Sequence, residues 1–222
     1  MNIAENIRYY FWSSFQRKLL DKAQEKHRSI YKGIVLDIGG RDRGKFRKPK
    51  SSVRKWIFAD ICPDHHPDIV LDVANMAAIE NKSIDVVVAM QVFAHVEKLD
   101  QGLDECFRVL KDGGKLVFSA HLVYPIVNDP SDYRRYTEAG WKYELEKRGF
   151  RIDTVETLGR FFTVLSDFII MANKSMPLGI RHIGYAFYPF LSALSLLDST
   201  SFVLKNKRLA SFATGYFIIA NK

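Results

Sequence analysis

The chain has 222 residues, of which 47% are hydrophobic and 26% charged. These proportions exclude a disordered or fibrous chain and fit one large folded domain. Lys and Arg outnumber Asp and Glu by 33 to 25, and the resulting net charge of +8 favours anionic partners. The two cysteines are too few for a disulfide framework and lack metal-ligand spacing, so we expect no metal site.

The first 30 residues lack the pattern of a signal peptide, because charged residues such as Glu5, Arg8 and Asp21 interrupt them. We therefore expect a cytoplasmic protein. Apolar residues recur every four positions in this segment, which predicts an N-terminal helix within residues 1–30. The residues of this stripe are Ile3, Ile7, Phe11, Phe15 and Leu19. The helix either packs on its own domain or contacts a membrane or substrate.

From Gly33 onward, seven strand-like runs alternate with helical segments. This pattern is typical of an α/β fold with a mostly parallel sheet covered by helices on both faces. The predicted strands are 33–38, 55–60, 68–73, 83–90, 115–121, 150–156 and 212–220. We find no repeat or linker, which indicates a single domain over residues 1–222.

Two helices between the later strands have clear sequence signals. Leu103, Cys106, Phe107 and Leu110 share one face of a helix, which Gly113 and Gly114 are expected to end. The other helix carries Trp141 and Leu145 before Gly149, and Thr137 is its expected N-cap.

A hydrophobic helical insertion is predicted at about residues 159–208, before the last strand. Its longest run without charged residues, 182–197, is shorter than the roughly 18 to 20 apolar residues of a spanning helix and contains Pro189. Amphipathic helices fit better. They either pack as core or form a cavity or membrane-facing patch for an apolar substrate.

The most informative segment is a β-branched strand that runs into a glycine turn, with Asp37 followed by Gly39 and Gly40. Glycine lets a ligand approach the backbone at the carboxyl end of a first parallel strand. Asp60 ends the next strand 23 positions after Asp37, where an acid can accept hydrogen bonds from ribose hydroxyls. Asp72 ends the third run, so three carboxylates are predicted at one sheet edge. The alternative is that each is a turn or helix-cap aspartate.

Neither G-x-G-x-x-G nor a P-loop is present, because the glycines stand at 39, 40 and 44 and no G-K-[ST] follows. A ligand with an adenosine ribose but no pyrophosphate fits this turn, and Asp37 suits a cationic group on that ligand.

The segment from Ile34 to Phe150 resembles the class I S-adenosylmethionine-dependent methyltransferases of the small-molecule type. The matching stretches are L-D-I-G-G at 36–40, A-D-I at 59–61, L-D-V-A at 71–74, I-D-V-V-V at 84–88 and R-V-L-K-D-G-G-K-L at 108–116, and 214–220 is similar to the closing strand. The resemblance implies a Rossmann-like sheet in the order 3-2-1-4-5-7-6 with the last strand antiparallel.

The resemblance also implies site residues for S-adenosylmethionine. Asp60 would hold the ribose, and Asp72 and Val73 would flank the adenine. The methionine side would be lined by Asp37, Gly39, Gly40 and Met90, and Ile61 and Gln91 complete the implied cofactor set.

Residues 124–137 are similar to the P-x-D-Y-x-R-Y-T segment of methyltransferases often encoded with bacterial surface-polysaccharide and lipid-linked glycan pathways. Other positions depart from the family pattern. Gln91 and Ala94 replace two glutamates, and His121 replaces the usual proline after the fifth strand. These differences are compatible with an altered acceptor pocket or with lost catalysis.

Methyl transfer from a sulfonium requires mainly positioning and exclusion of water. His121 is the first candidate for a general base, because its ordinary pKa lies near working pH; the alternative is a histidine that only holds the adjacent loop. Four residues of the following loop are candidate contacts for a polar acceptor, or else form a salt-bridged loop: Asp129, Asp132, Tyr133 and Arg135. His95 is expected to fix the turn after the fourth strand.

A basic run spans residues 41–55 and carries eight Lys or Arg against Asp42 alone. It could attract a phosphate-bearing substrate, an anionic membrane or RNA, or form a solvated basic face. Nucleic acid is the less favoured partner, because the [DNS]-P-P-[FYW] motif of amino-methylating enzymes is absent. The sequence thus predicts methyl transfer to a small-molecule or glycan-type acceptor, lipid-linked in one version; the alternatives are an RNA methyltransferase and a non-catalytic partner subunit.

Overall fold

A computed structural model describes residues 3–41, 44–128 and 131–222. Its seven strands form one sheet in the order β3-β2-β1-β4-β5-β7-β6, and β7 runs antiparallel to both its neighbours. The predicted topology is confirmed. The strands are β1 (Gly33–Ile38), β2 (Val53–Asp60), β3 (Ile69–Val70), β4 (Ile84–Met90), β5 (Leu110–His121), β6 (Arg151–Thr157) and β7 (Gly215–Asn221).

The helices flank this sheet and also form a separate group before β7. They are α1 (Ile3–Trp12), α2 (Phe15–Lys26), α3 (Leu99–Val109), α4 (Glu138–Glu146), α5 (Phe161–Lys174), α6 (Leu178–Ala186), α7 (Tyr188–Leu196), α8 (Ser201–Lys205) and α9 (Lys207–Ala210). Thr137 caps α4 as predicted, since its side chain accepts the N–H of Gly140.

The N-terminal segment differs from the single apolar stripe that the sequence predicts. The helix breaks at Ser13 and Ser14, and the Ser14 hydroxyl accepts the N–H of Arg17 to begin α2. Ile7 is exposed on α1, whereas Phe15 is buried on α2. An N-cap serine outweighs the continuity of the apolar spacing here, because it satisfies the first donors of a new helix.

Strand boundaries also differ from the predictions, most clearly at β3 and β5. Strand β3 has two residues, so Asp72 lies beyond it instead of ending it. Helix α3 ends at Val109, and β5 already begins at Leu110, which pairs with Ile84. Gly113 therefore lies within the strand, at an irregularity with a φ of +74°, and does not end the helix.

The sheet is buried on both faces because alternate residues of each central strand enter opposite cores. Leu36 and Val87 pack in the larger core with Leu103 of α3 and Trp141 of α4. Their sequence neighbours face the other side, in a core that contains Leu20 of α2. Helix α2 thus covers the sheet from one side, and its polar face reaches the carboxyl edge of the strands.

The predicted insertion contains α5 to α9 and packs on the N-terminal helices. Asp167 of α5 accepts the N–H groups of Phe15 (2.6 Å) and Gln16 (3.1 Å), and so caps the start of α2. Phe15, Ile170 and Tyr188 form a small apolar cluster between the two units. Among the described helices, none has the length and apolar character that crossing a bilayer requires.

Candidate active site

A cleft opens at the carboxyl edge of β1, β2 and β4, where an open parallel sheet places its ligands. Its empty volume is about 550 Å³, including the part open to solvent. The residues that line it come from the glycine turn, from the strands and from α2. They are Arg17, Gln24, Asp37, Gly39, Gly40, Arg41, Phe46, Lys48, Trp56, Val88 and Met90. The sequence-predicted residues Asp37, Gly39, Gly40 and Met90 therefore meet in one place.

The glycine turn after β1 is shaped by the side chain of Asp37. A Cβ at Gly40 would overlap the Asp37 carboxyl group, and Gly39 has a φ of +64°. Both positions therefore require glycine. Asp37 is buried, accepts a hydrogen bond from Nε1 of Trp56 (2.8 Å) and lies 3.5 Å from Nζ of Lys48.

Asp60 is the last residue of β2 and is also buried. The N–H of Cys62 donates to its Oδ1 at 2.9 Å. Nδ1 of His65 lies 3.1 Å from its Oδ2, and Nε2 of the same ring lies 2.9 Å from Nη1 of Arg41. Because arginine can only donate, His65 accepts at Nε2 and carries its proton on Nδ1, facing the acid. His65 thus connects the candidate ribose acid to the glycine turn.

The third acid and its neighbour are placed differently. Asp72 is exposed, and its carboxylate accepts the N–H of Ala74 at 2.9 Å, as in a turn. The side chain of Val73 packs in the core beside Gly102 of α3. Only the backbone of Val73 is therefore available to a ligand. Ile61 is 59% exposed directly after Asp60, where an apolar side chain can cover one face of a base.

The end of β4 joins the sheet to α2. Gln91 follows Met90 with a φ of +63°, and its Oε1 accepts a hydrogen bond from Nη2 of Arg17 at 2.7 Å. Burial lowers the pKa of Arg17, but a guanidinium remains charged in proteins. Arg17 thus brings a positive charge into the cleft.

Sequence reasoning missed Arg17 and the contact of His65 with Asp60. Arg17, Asp21 and Gln24 follow one another at helical spacing and form a polar stripe, of which Asp21 and Gln24 are buried. That stripe was a usable signal, since a polar face that becomes buried must meet polar partners. For His65 no local pattern points to Asp60.

His121 ends β5 and is buried in a stack with Tyr124, with ring centroids 4.0 Å apart. Its Nδ1 is buried and has no hydrogen-bond partner among the residues that the structure describes. Burial, followed by the charges of Arg135 and Arg17, lowers the pKa of His121 to about 3. The ring is therefore neutral at physiological pH, which suits a hydrogen-bonding group better than a strong base.

The segment after β5 is held against the turn that follows β4. The N–H of Tyr133 donates to the carbonyl of Ala94 at 2.9 Å, and Nδ1 of His95 lies 2.7 Å from the carbonyl oxygen of Ser131. His95 therefore fixes this turn, as expected. Asp132 pairs with Arg135, which agrees with a salt-bridged loop.

Of the residues predicted to contact the methyl acceptor, Tyr133 is described by the structure and Asp129 is not. The Tyr133 side chain is 47% exposed and free to stack on a ligand. Asp129 lies outside the described residues. Within those residues, no three His, Cys, Asp or Glu side chains are grouped as a metal site would require.

The basic run of residues 41–55 divides into two parts. Arg41 and Lys48 line the cleft and contact His65 and Asp37. Arg47, Lys50, Arg54 and Lys55 are exposed. The run is therefore partly a wall of the cleft and partly a solvated face.

Comparisons with known proteins agree with this geometry. The sequence model of a family described as a methyltransferase domain matches residues 51–118. No curated protein matches the chain in sequence. A SAM-dependent methyltransferase from Archaeoglobus fulgidus is similar over 100% of both chains, with a TM-score of 0.58 and 18% identity.

Two further solved structures share the fold. The [4+2]-cyclase SpnF has a TM-score of 0.58 and 18% identity, covering 96% of this chain and 83% of its own. Phosphoethanolamine N-methyltransferase 2 from Haemonchus contortus, in complex with S-adenosyl-L-methionine, has a TM-score of 0.54 and 15% identity, covering 91% of this chain and 52% of its own. Residues 51–118 thus match a methyltransferase domain, and the whole chain shares the fold of S-adenosylmethionine-dependent methyltransferases.

Proposed function

We propose that this enzyme transfers the methyl group of S-adenosylmethionine to a hydroxyl or similar polar group on a small-molecule or glycan-type acceptor, including a lipid-linked one. The observation that carries this proposal is the buried His121 ring, whose Nδ1 has no partner in the described part of the chain and which lies close enough to Arg17 for the guanidinium to lower its pKa. A group of this kind is built to accept a hydrogen bond from a ligand.

The cleft residues fit the cofactor. The turn at Gly39 and Gly40 presents backbone without side chains at the wall of the cleft, and the buried carboxylates of Asp37 and Asp60 suit a ligand that carries positive charge and ribose hydroxyls. Asp60 would hold the ribose beside Ile61. Asp37 and Met90 would line the methionine side, and the Asp72 turn would flank the adenine. When bound, the cofactor supplies an electrophilic methyl group on a sulfonium.

The residues around His121 would then orient the acceptor. Neutral Nδ1 of His121 would accept the hydrogen bond of an acceptor hydroxyl and hold its oxygen toward the methyl group. As the new C–O bond forms, the hydroxyl proton becomes strongly acidic and would pass to Nδ1 and from there to solvent. Arg17, fixed by Gln91, would attract a nearby anionic group. The exposed Tyr133 ring offers a face on which a sugar ring could stack. Orientation of this kind accounts for several powers of ten in rate.

The direct test is transfer of a labelled methyl group from S-adenosylmethionine to free sugars, nucleotide sugars, lipid-linked sugars and RNA. We expect label in a sugar or lipid-linked fraction. His121→Ala should lower kcat at least about tenfold with little change in cofactor affinity, because it removes an acceptor contact only. Tyr143→Ser, an exposed change on α4, serves as the control and should leave the rate unchanged.

Three results would contradict the proposal. Label in RNA alone would favour the RNA methyltransferase alternative. Cofactor binding without transfer to any acceptor would favour a non-catalytic subunit. Unchanged kinetics of His121→Ala would remove the histidine from the acceptor site. The SpnF cyclase has the same fold, so the fold alone does not decide between these results.

A further inference from the structure

Helix α5 buries Val164 and Ile170 but also exposes large apolar side chains to solvent. Its exposed side carries Leu165, Phe168 and Ile169, which are 38%, 47% and 42% exposed. Its buried side includes polar Thr163, Ser166 and Asp167. A surface helix normally buries its apolar stripe and presents polar residues to water. The outer face of α5 is therefore suited to contact with an apolar partner.

The exposed apolar surface continues onto the neighbouring helices of the insertion. Helices α6 and α7 both pack against α5. Large apolar side chains on these helices, at the junction between them and on α8 are more than half exposed: Leu178, Phe187, Phe190, Leu196, Phe202 and Leu204. Single exposed apolar residues are common, but a concentration of this kind marks an interaction surface.

The exposed charged side chains of residues 159–212 are all positive. This segment contains six Lys or Arg and two acids, Asp167 and Asp198. Both acids are buried, and both accept backbone N–H groups. In contrast, Lys205, Lys207 and Arg208 are exposed around α8 and α9. Within this segment, positive charge alone is therefore exposed beside the apolar side chains.

The exposed apolar side chains and the positive charges together favour one kind of partner for this surface. A second copy of the chain would bring the same positive groups against one another, and like charges across an interface oppose association. A bilayer with anionic lipids offers negative headgroups to the lysines and arginines and an apolar interior to the phenylalanines and leucines.

We propose that the outer face of α5 to α8 is a docking surface for a membrane containing anionic lipids, on which the protein lies without spanning it. The apolar side chains would enter the acyl boundary, while Lys205, Lys207 and Arg208 contact the headgroups. The same insertion packs on α2, which carries Arg17 of the cleft, so docking places the cleft near the bilayer surface. The proposal of membrane binding does not depend on the proposed methyl transfer, because its test measures binding to vesicles alone.

The test is co-sedimentation of the full chain with phosphatidylcholine vesicles, with and without phosphatidylglycerol. We expect binding to the anionic vesicles that weakens as salt is added. The triple change Leu165→Gln, Phe168→Gln, Ile169→Gln should lower vesicle affinity at least about tenfold, since it removes the inserted side chains. Lys205→Gln, Lys207→Gln, Arg208→Gln should have an effect of similar size, because each basic residue near the surface contributes.

A matched control removes three exposed basic residues from outside the insertion, Arg47→Gln, Lys50→Gln, Arg54→Gln, and should bind within about twofold of the unchanged chain. Melting temperatures establish that the variants are folded. The proposal is overturned if the unchanged chain stays in the supernatant with anionic vesicles at low salt, or if the control loses as much affinity as the insertion variants. It is also overturned if sedimentation shows a dimer that the Leu165, Phe168, Ile169 variant dissociates.

Discussion

At the residue scale, the candidate ribose acid already has partners. Asp60 accepts the N–H of Cys62 at one oxygen and faces Nδ1 of His65 at the other. A ribose hydroxyl that donates to this second oxygen would therefore compete with His65. The basic run contributes to this arrangement through Arg41, which donates to the far side of the His65 ring. The acid was predictable from its place after β2, but its competing partner was not, because the contact depends on the loop geometry beyond Asp60.

Replacing His65 should strengthen cofactor binding. In His65→Ala the second oxygen of Asp60 has no imidazole beside it, so a ribose hydroxyl reaches it without displacing the His65 contact, which contributes at most about 1 kcal/mol, and the Kd for S-adenosylhomocysteine should fall by up to about fivefold. Isothermal titration calorimetry measures this Kd. His66→Asn is the matched control, because the neighbouring residue is exposed, has a φ of +50°, and asparagine tolerates that conformation. Weaker binding by His65→Ala would mean that His65 orients the acid for the ligand.

The pH dependence of the free energy of unfolding should show that the buried His121 ring is neutral. Burial holds its pKa in the folded state at about 3, below the ordinary value of 6.5. The free energy of unfolding is unaffected by this shift above pH 6.5 and decreases as pH falls from there toward 3. The reason is that the unfolded chain then binds a proton at His121 that the native state does not bind. Between about pH 7 and about pH 5, urea unfolding should show a loss of up to about 2 kcal/mol that His121→Phe reduces. An equal pH effect in this variant would contradict the burial of a neutral ring.

At the element scale, the strands and the later helices follow from local patterns, whereas the junctions between units do not. The β-branched runs specified the sheet, and Thr137 marked the start of α4. The break between α1 and α2 depends on Ser14 and also on Asp167, which caps α2 from 152 residues away. A contact at that separation leaves no trace in sequence periodicity. The insertion was predicted as helical, but the outward apolar face of α5 required the structure.

Removing the cap from Asp167 should loosen the insertion from α2. Asp167→Ala deletes two charge-assisted hydrogen bonds to buried backbone donors, so we expect a loss of about 2 to 3 kcal/mol, which lowers the melting temperature by roughly 4 to 12 °C. Scanning calorimetry measures the shift. Asp112→Ala, which removes an exposed acid paired with Lys82, is the control and should leave the melting temperature unchanged. Equal melting temperatures for the Asp167 variant and the unchanged chain would show that the cap is unimportant.

At the scale of the whole molecule, the sheet places a cofactor cleft on one edge, and the N-terminal helices connect that edge to the insertion. The order of the strands and the positions of Asp37, Gly39, Gly40 and Met90 were predictable, because the glycine turn and the strand ends are local in sequence. Arg17 could not be placed in the same way, since its partner Gln91 lies 74 residues away. The residues that would contact the methyl acceptor are brought together by tertiary packing, and a single sequence predicts such long-range contacts less well than it predicts local turns and strand ends.

We propose that Asp60 holds the ribose of S-adenosylmethionine in this cleft, and calorimetric titration with S-adenosylhomocysteine tests this role most directly. The unchanged chain should bind, and Asp60→Asn should bind about ten- to a hundredfold more weakly, because hydrogen bonds to a carboxylate contribute about 1.5 to 3 kcal/mol. Asp64→Asn removes the same charge from an exposed position in the adjoining turn and should bind within about twofold of the unchanged chain. Absence of binding by the unchanged chain, or equal affinity of Asp60→Asn, would contradict the account.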